Sequence, residues 1–226
     1  MASQTALNPV GIDVGLTNLL ALSDGSFVAA PKHYRAGEKK QRRLQRALAR
    51  CQRRSRKRLK AKRNLARHSE YIANQRRDYN HKVTSDLIKT YDGFAVEDLQ
   101  IQNMTKNRHL AKSIQDASWN QIISFLTYKA ESAGMTCVKV NPRGTSQNCS
   151  ACGHIPDVKK TLSDRWHECP ECGYAADRDT NAARNILQKS GLGTRLTSVT
   201  GGANKLVDVV TAGDPAASEA ACFSWR

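Results

Sequence analysis

Nothing in the chain approaches the ~18 consecutive apolar residues that a membrane-spanning helix needs, which excludes a helical membrane protein. The first residues, MASQTALNPVGIDVG, lack the basic stretch and long apolar run of a secretory leader. Cysteine gives no complete disulfide set. The count of seven is odd, and Cys51, Cys137 and Cys222 are scattered, as suits a reducing compartment. These absences predict a soluble cytoplasmic protein. With 226 residues there is material for one sizeable domain or two small ones.

Acids are scarce in one place only. From Tyr34 to Lys82 there are nineteen Lys and Arg against Glu38, Glu70 and Asp78, a balance of +16. The rest of the chain carries seventeen bases and seventeen acids, so the whole formal charge of +16 sits in that segment. Clustered Lys and Arg bind phosphate by releasing its condensed counterions, and a polyanion is the partner this implies. The plainer use is a solvated basic helix face, although so dense a cluster repels itself until something neutralises it. The expected contact residues are Arg42, Arg43, Arg46, Arg50, Arg53, Arg54, Arg56, Lys57, Lys60 and Arg63.

The organising stretch is CSACGHIPDVKKTLSDRWHECPECGYAADRDTN, Cys149 to Asn181. Its two Cys-x-x-Cys pairs, Cys149/Cys152 and Cys169/Cys172, are sixteen residues apart, the spacing of a four-thiolate zinc ribbon. Gly153 and Gly173 each follow the second cysteine of a pair, where a knuckle calls for positive φ. Two disulfides or a redox pair are the other uses of such cysteines, but nothing else in the chain suggests oxidising surroundings. A closed four-cysteine site leaves no open coordination position, so such a zinc holds a shape and does no chemistry.

In chain order, Val10, Ile12 and Val14 alternate, followed by Leu19 to Leu22 and Phe27 to Ala29, with turns at 15–18 and 23–26. The pattern predicts three consecutive antiparallel strands. Asp13 lies within the first. It is either a solvent-facing residue of an edge strand or an acid that a partner or metal must stabilise. Residues 37–90 follow a helical period with a thin apolar stripe and predict a helical hairpin projecting from the core. Residues 93–99 predict a fourth, buried strand with Glu97 at its far end. Then come a polar mobile loop over 100–112, one amphipathic helix over 113–134, and a fifth strand over 135–140. A last helix starts near Asp179. Residues 189–226, small and glycine-rich, read as a disordered tail.

Three strands, helix, strand, helix, strand, helix is the element order of a ribonuclease H-like fold. Gly11-Ile12-Asp13-Val14-Gly15, Val96-Glu97-Asp98-Leu99, Ser146 to Gly153, and Asp177-Arg178-Asp179-Thr180-Asn181-Ala182-Ala183 resemble the TnpB family over about Val10 to Leu187. That family comprises the RNA-guided nucleases of insertion sequences, older known as OrfB transposases and related to type V CRISPR effectors. The resemblance implies an α/β RuvC nuclease domain over 8–143 and 175–188, with the zinc ribbon inserted at 144–174.

It further implies an endonuclease in which Asp13, Glu97 and Asp179 hold two Mg2+ or Mn2+ ions ~4 Å apart, one activating water and one stabilising the leaving oxygen. DNA and a guide RNA are the implied partners. Asp98 is turned aside by strand alternation, and Asp177 is a candidate helix cap. Members of the family carry a recognition half before the first RuvC strand, and here Asp13 comes only twelve residues after Met1. The expectation is a short form that needs a guide RNA, a partner protein or a second chain. A non-catalytic nucleic-acid-binding or accessory subunit is the second reading. A cleavage assay with Mg2+ separates the two.

Overall fold

β1 (Pro9–Val14) occupies the middle of a five-stranded sheet of order β3-β2-β1-β4-β5. The computed structural model describes residues 7–161 and 163–192. β2 (Asn18–Leu22) and β3 (Phe27–Ala29) run antiparallel, joined by tight turns. β4 (Gly93–Glu97) and β5 (Thr136–Val140) run parallel to β1. Parallel neighbours need long crossovers, and helices supply them. α1 (His33–Ala49) and α2 (Arg56–Thr90) lie between β3 and β4; α3 (Ile101–Met104), α4 (Ala111–Ala117) and α5 (Trp119–Ser132) lie between β4 and β5. β6 (Trp166–Glu168), β7 (Ala175–Asp177) and α6 (Arg178–Ser190) close the described chain.

Strand alternation divides the core. Val10, Ile12, Phe94 and Val96 turn to one face and pack with Val83 and Leu87 of α2 and Ile122 and Leu126 of α5. Ala95 and Val140 turn to the other face and pack with Ile186 of α6. α2 and α5 are also tied by polar contacts. Lys129 Nζ donates to the His81 carbonyl at 2.7 Å and to the hydroxyls of Thr84 and Ser85 at 2.8 Å.

The α1–α2 hairpin follows from its composition. α1 has no buried residue, and the buried residues of the 35-residue α2 all lie from His68 onward. The basic end therefore extends beyond the sheet, along a helix roughly 50 Å long. Ser55 caps α2, its hydroxyl accepting from the Arg58 amide at 3.2 Å. The Arg58 guanidinium reaches back to the Leu48 carbonyl near the end of α1 at 3.2 Å.

Three expectations change. The segment 100–112, expected as a mobile loop, contains α3 and the start of α4, because Ile101 is drawn into the core. The single helix expected over 113–134 is broken at Ser118, which takes a left-handed φ of 53°. The break turns Trp119 inward, where its indole N–H reaches the Gly15 carbonyl at 3.2 Å, and lets the Ser118 hydroxyl accept from Asn80 at 2.8 Å. Lys189 and Ser190, assigned to the tail from sequence, belong to α6, and residues 193–226 lie outside those described.

Candidate active and metal sites

The three predicted acids meet through strand register and helix placement. Ile12 pairs with Val96 in the parallel β1–β4 ladder, so the next residues, Asp13 and Glu97, sit side by side on the face turned to α6. α6 lies directly on that face. A Cβ added to Gly11 would stand 2.0 Å from the Ala183 carbonyl oxygen. Asp13 is two residues beyond Gly11 on the strand and Asp179 one turn before Ala183 on the helix, so the third acid comes to the same edge. Asp177 caps α6, its carboxylate accepting from the amides of Asp179 at 2.8 Å and Thr180 at 3.3 Å. Asp98 is exposed beyond the strand.

The electrostatics record the crowding. Burial, then the like charges of Glu97 and Asp179, raise the Asp13 carboxyl well above the ordinary carboxylate range. Arg178 and the Val14 amide act the other way. Burial also raises Glu97, against the Thr145 hydroxyl and the charge of Lys189. Thr145 donates directly to Glu97 and is itself buried. Asp179 is flanked by Arg178 at 3.5 Å and Arg165 at 3.9 Å. Three half-buried acids, with Asp13 repelled by the other two, form an all-oxygen donor set suited to a hard divalent cation such as Mg2+ or Mn2+.

The cysteines form a tighter group. The ligand atoms of Cys149, Cys152, Cys169 and Cys172 all lie within 4.8 Å of one another. Among the described residues no other set of three or more His, Cys, Asp or Glu side chains converges so closely, so the carboxylates stand further apart than the thiols. The two loops repeat one hydrogen-bond pattern. The Gly153 amide donates to the Cys149 carbonyl at 2.9 Å and the Gly173 amide to that of Cys169 at 3.0 Å. Gly153 and Gly173 have φ of 77° and 71°, the conformation expected of knuckle glycines. Four converging thiols on two knuckles fit zinc. Asn181, fully buried in α6, anchors the first knuckle by donating to the Asn148 carbonyl and accepting from the Ser150 amide, at 2.8 and 2.9 Å.

All ten basic residues predicted as contacts are exposed on α1, α2 and the loop between them. Arg42 is shared with Glu38, at 2.6 Å. Thr145, Arg165 and Lys189 escaped the sequence reading, because nothing in their local pattern marks them as neighbours of an acid. Arg178 had a signal, being flanked by two aspartates. Among the described residues no helix is long and apolar enough to cross a membrane.

A family model described as "Probable transposase" (OrfB_IS605) matches residues 2–108. A second, the Cas12f1-like TNB domain, matches residues 119–186. A Streptomyces pristinaespiralis protein, named as a candidate RNA-guided DNA endonuclease, is 38% identical over 179 residues, 79% of this chain and 44% of that protein. The CRISPR-associated endodeoxyribonuclease Cas12f1 of Sulfoacidibacillus thermotolerans is 34% identical over 116 residues, 51% of this chain and 27% of the relative. The chain thus spans less than half the length of these curated relatives. A cryo-EM structure of a Cas12f1–sgRNA–target DNA complex superposes with a TM-score of 0.57 at 18% identity, covering 82% of this chain and 51% of that one. With two matching family models in succession, the second spanning the four-cysteine site, and relatives named for RNA-guided DNA cleavage, the chain belongs to the TnpB family.

Proposed function

We propose that this chain is the nuclease part of an RNA-guided DNA endonuclease, with a ribonuclease H-like (RuvC) core over 8–143 and 175–188 and a zinc ribbon inserted at 144–174. The observation that carries the reading is the convergence of Asp13, Glu97 and Asp179 from two parallel strands and the helix crossing them. The sheet order, three antiparallel strands followed by two parallel ones, supports the ribonuclease H-like reading.

Asp13, Glu97 and Asp179 would hold Mg2+ or Mn2+, which when bound supplies an activated water and charge stabilisation at the scissile phosphate. Thr145 orients the Glu97 carboxylate, and Asp177 sets the start of the helix that carries Asp179. Cys149, Cys152, Cys169 and Cys172 would hold zinc, keeping the ribbon folded beside Asp179. The exposed cations of α1 and α2 grip the phosphate backbone of guide RNA or target DNA. Contacts of that kind fix register without reading bases, so the guide supplies sequence specificity.

The test is cleavage of single- and double-stranded DNA with Mg2+, with and without RNA co-purified from the native host. Cutting that Asp13→Ala abolishes while binding and fold persist supports the reading. Tight binding with no cutting under any of these conditions favours the accessory-subunit reading.

A further inference from the structure

A cavity of about 570 Å³ opens at the root of the hairpin, walled by α1, α2 and the segment from α3 to α4. Its size falls within the ~300–1,000 Å³ typical of sites for small organic ligands. Arg76, Lys106, Arg108 and Lys112 contribute four cations to its lining, and Asp116 the one acid. Asp116 is already engaged, its two carboxylate oxygens accepting from the Tyr34 and Arg35 amides at 2.8 and 3.3 Å. Arg76 is held by the Gln115 carbonyl at 2.7 Å, and Lys112 by Glu38 at 2.7 Å. Among the described residues Lys106 and Arg108 meet no carboxylate, although both line the cavity.

The rest of the lining is unlike a bare phosphate cradle. Tyr34 offers an aromatic wall and Ile72, 3% exposed, an apolar floor. Gln41 and Ser69, bonded to each other at 3.1 Å, offer a hydrogen-bonding edge. An aromatic wall, an amide edge and uncommitted cations match the three parts of a nucleotide: base face, base edge and phosphate. A base inside a duplex is stacked above and below and enters such a walled site only by leaving the helix.

We propose that this cavity seats one unpaired nucleotide of the strand bound along the basic hairpin, its base against Tyr34 and its phosphate at Lys106 and Arg108. The inference rests on the nucleic-acid-binding part of the proposed function and not on cleavage. A seated nucleotide would fix the register of the strand at the hairpin root, on the segment that follows Glu97.

The test uses the full chain carrying Asp13→Ala, without added Mg2+, so that cleavage plays no part. Single strands of DNA and of RNA containing 5-iodouracil are bound, irradiated, and the adduct mapped by mass spectrometry. An adduct on Tyr34 is expected, and the arm that gives it identifies the strand as DNA or RNA. Lys106→Ala with Arg108→Ala, both exposed positions, should weaken oligonucleotide binding by roughly tenfold at an unchanged melting temperature. Tyr34→Ala should remove the adduct and weaken binding similarly, since stacking on an aromatic ring is worth ~1–3 kcal/mol per base. A mononucleotide should compete where inorganic phosphate at equal concentration does not. The proposal is overturned if neither arm gives an adduct among the cavity residues, if Lys106→Ala/Arg108→Ala binds as the parent does, or if phosphate competes equally well. Normal cavity binding in a protein that never cuts DNA would leave this proposal standing and sink the catalytic one.

Discussion

Gly11 of β1 and Ala183 of α6 are in backbone contact, so close that a Cβ on Gly11 would stand 2.0 Å from the Ala183 carbonyl oxygen. The contact sets the distance at which the start of α6, and with it Asp179, meets Asp13. A backbone atom cannot swing aside as a side chain can. Gly11→Ala should therefore cost at least the ~1–3 kcal/mol of overpacking. Each kcal/mol lowers the melting temperature by ~2–4 °C in a chain of this size. Cleavage should fall further than stability does, because α6 carries one of the three acids. Thermal melts and cleavage rates on the same preparation check both.

Thr145 offers a finer probe of the acid cluster. Its hydroxyl donates to Glu97, and its carbonyl accepts from Asn185 of α6 at 2.8 Å. Thr145→Val keeps the shape and removes the hydroxyl. A hydrogen bond to a charged group is worth ~1.5–3 kcal/mol, so cleavage should drop by roughly tenfold or more. Thr145→Ser should restore most of it. A valine variant with the parent rate and the parent pH profile would remove Thr145 from the positioning of Glu97.

Protein purified without chelators should carry one zinc per chain by elemental analysis. Cys169→Ser should lose it and open the knuckles to protease between Gly144 and Ala176, because a structural zinc contributes folding energy outright. The sheet core should stay protected. Metal-free protein with intact knuckles would refute the assignment.

Salt dependence locates the polyanion surface. Changing Arg43, Arg46, Arg50 and Arg54 to Ala should flatten the slope of log affinity against log salt by up to ~3 units if all four touch phosphate, at ~0.9 per contact on duplex and ~0.7 on single strands. Changing Lys159, Lys160 and Arg165 should alter it less. The reverse ranking would move the surface from the hairpin to the ribbon.

Asp24 and Tyr91 give a pH signature independent of any metal. The Tyr91 hydroxyl donates to Asp24 at 2.5 Å, joining the β2–β3 turn to the end of α2. Burial alone would raise the Asp24 carboxyl, but the donors Tyr91 and Ser26 outweigh it and hold it below its ordinary value. An acid with a lowered folded pKa contributes stability above its unfolded value, and that stability is lost as pH falls through the folded value. Burial, then the bond to Asp24, pushes Tyr91 up to about 12. A raised phenol contributes below its unfolded pKa of ~10 and loses the contribution as pH rises through the folded value. Tyr91→Phe should therefore lower stability from mildly acidic pH to about pH 10 and converge with the parent at both extremes. Denaturant melts across pH check this, and an equal loss at every pH would refute it.

Much of the chain was legible because its signals are local. Alternation in Val10, Ile12 and Val14, the helical period after Gly37, and the cysteine spacing each depend on neighbours a few residues apart. They were sufficient for the five strands of the main sheet, the hairpin and the two knuckles, but not for the short pair β6 and β7. The charge count alone located the basic surface, since like charges cannot be buried together and must face solvent. The family motifs then singled out the acids. What no local pattern held was the meeting of Asp13, Glu97 and Asp179, which are separated by long stretches of chain and joined by parallel register and by the seat of α6 on Gly11. The break at Ser118 was likewise hidden, because residues 113–134 are a continuous helix by propensity and only the burial of Trp119 interrupts them. The cavity at the hairpin root belongs to the same class. Its walls come from three helical segments distant in sequence, and the contacts among them exist only once the chain has folded.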